Sequence, residues 1–313
     1  MSWLVIAIIA YLILAVVNLA DKFIIEKVIP GPKTYTFLVG VTGALVIVAA
    51  PWFLIWPGWA LFFFNCLVGS FFAGGLFFLY SALKGGEASR IFTLVGGMVP
   101  IFTVLFSLAV FGEVFNTNQW LALLFLILGT IVIASISVHH NVWFNIRKFL
   151  GILDSSKWPS ILAAIFSALF FALFWIGTKQ VYNTQEFASG FIWVRLGTFL
   201  TVLFLLIRKS SRDEIFSEIK GGNKQKNNKF IYFGTQGLGA LGSVLQNYAV
   251  ALGSVALVTS LQGLQYALLL VLSAIVTFFY PKIIKEELDK RNVILKIVAL
   301  VIMVVGILIL NLG

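Results

Sequence analysis

Charge is what this sequence has least of. Asp, Glu, Lys and Arg make up 11% of its 313 residues, while 60% are hydrophobic. A soluble domain carries about 25% charged and about 45–50% apolar residues, so the deficit points to an integral membrane protein. A single cysteine, Cys66, in an apolar run, excludes an internal disulfide. The two histidines, His139 and His140, are adjacent, and neighbours on a helix face different sides, which argues against a metal pair. No GxxxxGK[ST] stretch occurs, which argues against ATP-driven transport within the chain. Clustered acids and a nucleophile with its base are missing at any usable spacing, so a membrane-embedded enzyme is a poor reading and no cofactor or metal is expected. The net charge of +10 does not imply nucleic acid, because the basic residues sit in short stretches between apolar runs. There they orient the chain and meet anionic headgroups of the lipid bilayer. The 18 residues from Trp3 to Ala20 have no basic n-region before them and exceed the usual h-region, so a cleavable signal peptide is not expected.

What is present is a series of apolar runs. Ten are long enough to serve as spans: 3–20, 35–54, 59–80, 91–111, 120–138, 158–176, 187–207, 230–250, 255–280 and 293–312. A bilayer core about 30 Å thick takes about 20 helical residues. The runs are apolar throughout rather than alternating, which favours helices over barrel strands. Trp59, Trp120 and Trp158 open runs as interfacial aromatics do, Pro281 closes the ninth, and Pro100 should kink the fourth. Ten runs divide into five plus five: a first repeat over 1–140, a connector over 141–157 that reads as a short surface helix or a plain link, and a second repeat over 158–313. The halves are weakly alike. "ALKGGEASRIFTLVGGMVPIFTVLFS" from Ala82 compares with "ALGSVALVTSLQGLQYALLLVLS" from Ala251, and "GTIVIA" from Gly129 compares with "GILIL" from Gly306. An odd number of spans per half inserts the second half from the opposite side, the inverted-repeat plan of secondary transporters. The fold expected is therefore all-α and polytopic, with ten transmembrane helices as two inverted five-helix repeats.

Polar residues inside the runs are few, so each is a candidate for the substrate pathway. Arg195, in "FIWVRLGTF", is the sharpest: a cation in mid-membrane costs about 2.5–3.5 kcal/mol and faces a cavity or a partner. A snorkelling anchor is the plainer alternative. Gln262, Gln265 and Tyr266 share a helix face, as do Ser243, Gln246 and Asn247. Either stripe lines a path for a polar solute or bonds helices together. Asn18, Asp21 and Lys22 end the first run, and Lys179 stands at the matching place in the sixth, 21 residues after Trp158 as Lys22 is 19 after Trp3. If the first helix continues to Ile29, this acid–base pair sits in the helix near a cavity mouth rather than beyond its end. Pro100 and Glu113 are read as gate or structural residues, Glu87 as a helix N-terminal acid, and the basic stretch 208–229 as a solvated orientation signal.

Ala82-Leu83, "EAS" at 87–89, Pro100 and "FGE" at 111–113 resemble the EamA-type transporters of the drug/metabolite transporter superfamily. The likeness is stronger in the first half. In the second, Gln265 stands near the place of a proline, and Pro281-Lys282-Ile283-Ile284 interrupts the approach to Glu286 or Glu287. The resemblance implies a ten-helix bundle that moves small metabolites across a membrane by alternating access. The partner expected is a small polar or amphipathic molecule, with a homodimer compatible and a flippase for a lipid-linked substrate as the alternative. Loops that follow odd-numbered runs hold 19 of the 22 Lys and Arg. By the positive-inside rule those loops are cytoplasmic and both termini lie outside the cell membrane, whereas the resemblance implies termini inside.

Overall fold

The computed structural model describes residues 2–25, 31–85, 88–136, 158–221, 229–279 and 290–311; no strand occurs among them. In chain order the helices are α1 (Trp3–Ile25), α2 (Pro32–Gly43), α3 (Trp59–Gly85), α4 (Ala88–Phe111), α5 (Thr117–Ile136), α6 (Trp158–Thr184), α7 (Phe187–Leu203), α8 (Lys209–Gly221), α9 (Lys229–Leu252), α10 (Val255–Ser260), α11 (Gln262–Phe279) and α12 (Lys290–Asn311). α2 tightens into 3₁₀ turns over Ala44–Ala49 and ends in the turn Ala50–Phe53, and α7 ends in a 3₁₀ turn over Phe204–Leu206. Where they are described, the ten apolar runs fall almost wholly on helix. Among the described residues, five segments are long and apolar enough to cross a membrane: Pro32–Phe53, Trp59–Gly85, Leu94–Phe111, Trp158–Thr184 and Phe187–Leu206. Large apolar side chains such as Leu45, Val48 and Phe204 stand exposed on these segments, as lipid-facing residues do. The chain is an integral membrane protein.

Local chemistry explains the helix ends. Pro32 opens α2 at the position where its missing N–H costs nothing. Gly112, at φ +60°, stops α4, since a side chain would resist that left-handed turn. Asn116 caps α5 reciprocally: Gln119 N–H donates to Asn116 Oδ1 at 2.8 Å, and Asn116 N–H donates to Gln119 Oε1 at 3.0 Å. The ninth run is interrupted at Leu261, between α10 and α11.

The first helix runs through Ile25, five residues past the first apolar run, so Asp21 and Lys22 are inside it; their side chains and residues 26–30 are outside the described residues. The basic stretch 208–229 is not a loop throughout, since its first part forms α8. Three of that helix's residues, Ser211, Glu214 and Ile215, give it a protein-facing side that a solvated loop lacks. The connector 141–157, the two histidines, Glu87, Pro281, Glu286 and Glu287 lie outside the described residues.

The chain forms two compact units, each drawing on both halves of the sequence. One comprises 1–27, 92–143 and 227–313. In it α1 packs on α9 and α11, and α5 packs on α12 and α11. Tyr11, Leu123, Leu126, Leu261 and Met303 are fully buried there. The other comprises 28–91 and 144–226. There α3 packs on α6, α7 and α2, while α2 also meets α7 and α8. Val68, Phe174, Val181 and Val194 form its core.

Candidate functional site

The second unit is built around Arg195. α7 is first fixed to the turn before α3: Ile55 N–H donates to Ser189 Oγ at 3.1 Å, and Trp193 Nε1 donates to the Ile55 carbonyl at 2.8 Å. The adjoining face of α7 carries Phe191 and Arg195, one turn apart. The guanidinium stands over the Phe191 ring at 5.3 Å and over the Phe72 ring at 5.1 Å. Phe72 is the central residue of α3, so the charged head lies level with the middle of a 27-residue helix. The stem of Arg195 runs beside Gly43 of α2, and Tyr182 of α6 is within electrostatic reach of the head. α2, α3, α6 and α7 therefore meet at this cation. A guanidinium held over ring faces gains about 0.5–2 kcal/mol, and its mid-helix position argues against snorkelling to headgroups. Lys179 is half-buried on α6, one turn before Tyr182.

Two contacts hold the helices that carry the site. α3 and α7 cross at Gly69 and Gly197. There Thr198 Oγ1 donates to the Gly69 carbonyl at 3.1 Å. Nearer the turn that joins α6 and α7, Asn65 Nδ2 donates to Gln185 Oε1 and Gln185 Nε2 donates to Asn65 Oδ1, both at 3.1 Å. Asn65 is fully buried in α3. Neither amide was among the expected site residues, though the signal was present: Asn65 is a lone amide in "FFFNCLV", the kind of interruption that drew attention to Gln246. Replacing Asn65 by Leu should destabilise the protein, and a double-mutant cycle with Gln185→Leu should return a coupling of about 0.6–1.7 kcal/mol in thermal unfolding. A coupling near zero would remove the pair from this account.

The first unit holds most of the other candidates. Gln246 Nε2 donates to Tyr11 Oη at 3.3 Å, and Tyr11 Oη donates to the Val258 carbonyl at 2.8 Å. This relay ties α9 through α1 to α10, just before the interruption at Leu261. Asn247 is buried, and its Nδ2 donates to the Ser243 carbonyl of its own helix at 2.8 Å. Asn18 on α1 and Gln262 and Gln265 on α11 are half-buried, Pro100 is buried within α4, and the Tyr266 side chain is outside the described residues. Glu113, just past α4, accepts from Ser254 Oγ at 2.7 Å. That same oxygen accepts from Leu257 N–H and caps α10. An acid at a helix N-terminus is stabilised by the exposed amide dipoles. Ser254→Ala should cost about 1 kcal/mol in thermal unfolding, and Glu113→Gln should cost less, because the amide oxygen still accepts from Ser254. The reverse order would mean that Glu113 acts by its charge.

Residues 1–135 match the EamA-like transporter family, which belongs to the drug/metabolite transporter superfamily. Among solved structures, a protein crystal structure superposes with a TM-score of 0.66 over 98% of this chain and 96% of that chain, at 18% identity. That likeness shows a shared fold. No curated protein matches the chain in sequence.

Proposed function

We propose that this chain, an EamA-like transporter over residues 1–135, is a secondary transporter of a small polar or amphipathic metabolite and works by alternating access on ten spans arranged as two inverted repeats. The observation that carries the reading is a correspondence between helix pairs. Exchanging the halves converts run three into eight and six into one. The pair α3–α6 of one unit then becomes the pair α9–α1 of the other. Gly74 and Gly85 of α3 pack against Phe170 and Ser160 of α6. A methyl added at Gly242 would meet Leu14 of α1 at 2.9 Å, and one at Gly253 would meet Trp3 at 2.6 Å. Each glycine pair is spaced eleven residues, three helical turns, and each meets its partner helix in the antiparallel sense. The pair α5–α12, runs five and ten, maps onto itself. The halves read as the first repeat over 1–140 and the second over 158–313.

Arg195, level with the middle of α3, is the residue proposed to meet the substrate, with Lys179 on the same unit; Asn18, Asp21, Lys22, Gln262 and Gln265 are the polar residues proposed for the pathway in the other unit. Transporters of this plan hold their sites near the bilayer midplane. Purified protein in liposomes, screened against metabolite pools for uptake or counterflow, tests the reading. Movement of at least one water-soluble pool is expected. Translocation of lipid-linked molecules alone would favour a flippase, and hydrolysis or group transfer without transport would overturn both. The orientation proposed places the basic odd-numbered loops in the cytoplasm and both termini outside a cell membrane. A C-terminal reporter that fluoresces only in the cytoplasm should stay dark, and a bright one would reverse the orientation.

A further inference from the structure

The helix α8 has three faces, and the protein uses one. At about 100° per residue, Ser211, Glu214, Ile215 and Glu218 fall on one side. Ser211 and Ile215 are buried, Lys33 Nζ donates to Glu214 Oε2 at 2.7 Å, and Gly31 N–H donates to Glu218 Oε2 at 2.9 Å. This side is docked on the entry to α2, and two of the helix's acids are engaged there. Asp213 and Ser217 fall on a second, exposed side. The third side carries Arg212 and Phe216 one turn apart, with Lys209 next to them and Arg208 at the residue before the helix, and all four are exposed. The register is set at its start, where Arg212 N–H donates to the Arg208 carbonyl at 3.0 Å. Among the described residues, no carboxylate pairs with Arg208 or Arg212.

The position of α8 says what this third side meets. The apolar segment Phe187–Leu206 ends three residues before Lys209, and Phe204 near its end and Ile207 just past it are exposed apolar side chains. α8 therefore begins where the hydrocarbon ends. We propose that α8 lies in the headgroup layer and binds anionic phospholipids, with Arg208, Lys209 and Arg212 on the phosphates and Phe216 in the upper acyl region. Guanidinium forks match phosphate oxygens in pairs, and basic amphipathic helices bind anionic lipid in this way. Because the opposite side holds Gly31 and Lys33, bound lipid also braces the entry to α2.

The full-length protein in detergent, offered equimolar phosphatidylglycerol and phosphatidylcholine, can be read by native mass spectrometry. Wild type should retain phosphatidylglycerol several-fold over phosphatidylcholine. The double variant R208Q/R212Q should lose that preference by on the order of tenfold, and R208K/R212K should keep most of it. Should the glutamine variant not fold, salt decides on wild type alone, because phosphate pairing at an exposed surface weakens as ionic strength rises. Equal binding of the two lipids by wild type, an unchanged preference in R208Q/R212Q, or a salt-insensitive preference overturns the proposal and leaves this side of α8 to an acidic protein or to solvent.

Discussion

Alanine at Gly197 will lower the melting temperature by about 5 °C or more, and alanine at Gly69 will do at least as much. A Cβ at Gly197 would lie 2.7 Å from the Asn65 carbonyl oxygen and 2.7 Å from Cys66 Cα. A Cβ at Gly69 would meet the backbone of Val194, Gly197 and Thr198. These obstacles are main-chain atoms, which no change of rotamer can move aside, so α3 and α7 must separate. Separation would lengthen the bond from Thr198 Oγ1 to the Gly69 carbonyl and loosen the Asn65–Gln185 pair. Overpacking costs about 1–3 kcal/mol where side chains can yield, and this crossing belongs at or above the top of that range. Gly234 and Gly237 on α9 supply the control: an added Cβ there meets nothing within 4 Å. Alanine at either should hold or raise the melting temperature, since glycine is poorer than alanine in a helix interior by about 0.5–1 kcal/mol. Fluorescence-detected melting of the four variants settles the matter. Equal behaviour across them would mean that α3 and α7 are not in close contact.

The helices were legible because bilayer burial demands long apolar runs, and such runs need no partner to be recognised. Their ends were less so. The charged pair Asp21–Lys22 leaves open whether the first helix closes or continues, and it continues through Ile25. α8 was hidden by composition: a stretch with this many charges reads as solvated loop, and its docking depends on Ile215 and on two acids that meet Lys33 and Gly31, distant in sequence. Arg195 stood out because one charge in an apolar run is conspicuous, but its neighbours did not, since Phe72 and Gly43 are ordinary residues in membrane helices. Gln246 was conspicuous for the same reason as Arg195, and it makes a structural bond to Tyr11. A polar interruption thus marks a position worth inspecting, and the identity of its partner distinguishes packing from transport.

Replacing Arg195 with methionine should reduce transport at least tenfold while leaving the melting temperature unchanged or slightly higher. The two effects diverge for a physical reason. Holding a cation in mid-membrane costs about 2.5–3.5 kcal/mol; the contacts with the Phe72 and Phe191 rings return about 0.5–2 kcal/mol of that, and the electrostatic contact with Tyr182 adds to the return. Methionine follows a similar path past Gly43, fills the space between the rings and carries no desolvation cost, so the fold loses little. What disappears is the charge on which α2, α3, α6 and α7 converge. Lysine at 195 separates charge from shape: it keeps the cation and gives up the planar head that lies against two rings, so its transport should fall between wild type and methionine. Uptake into liposomes, corrected for the amount of folded protein, and melting in detergent measure the two quantities independently. A methionine variant that melts far below wild type would make Arg195 a packing residue, and one that transports at the wild-type rate would remove it from the substrate path.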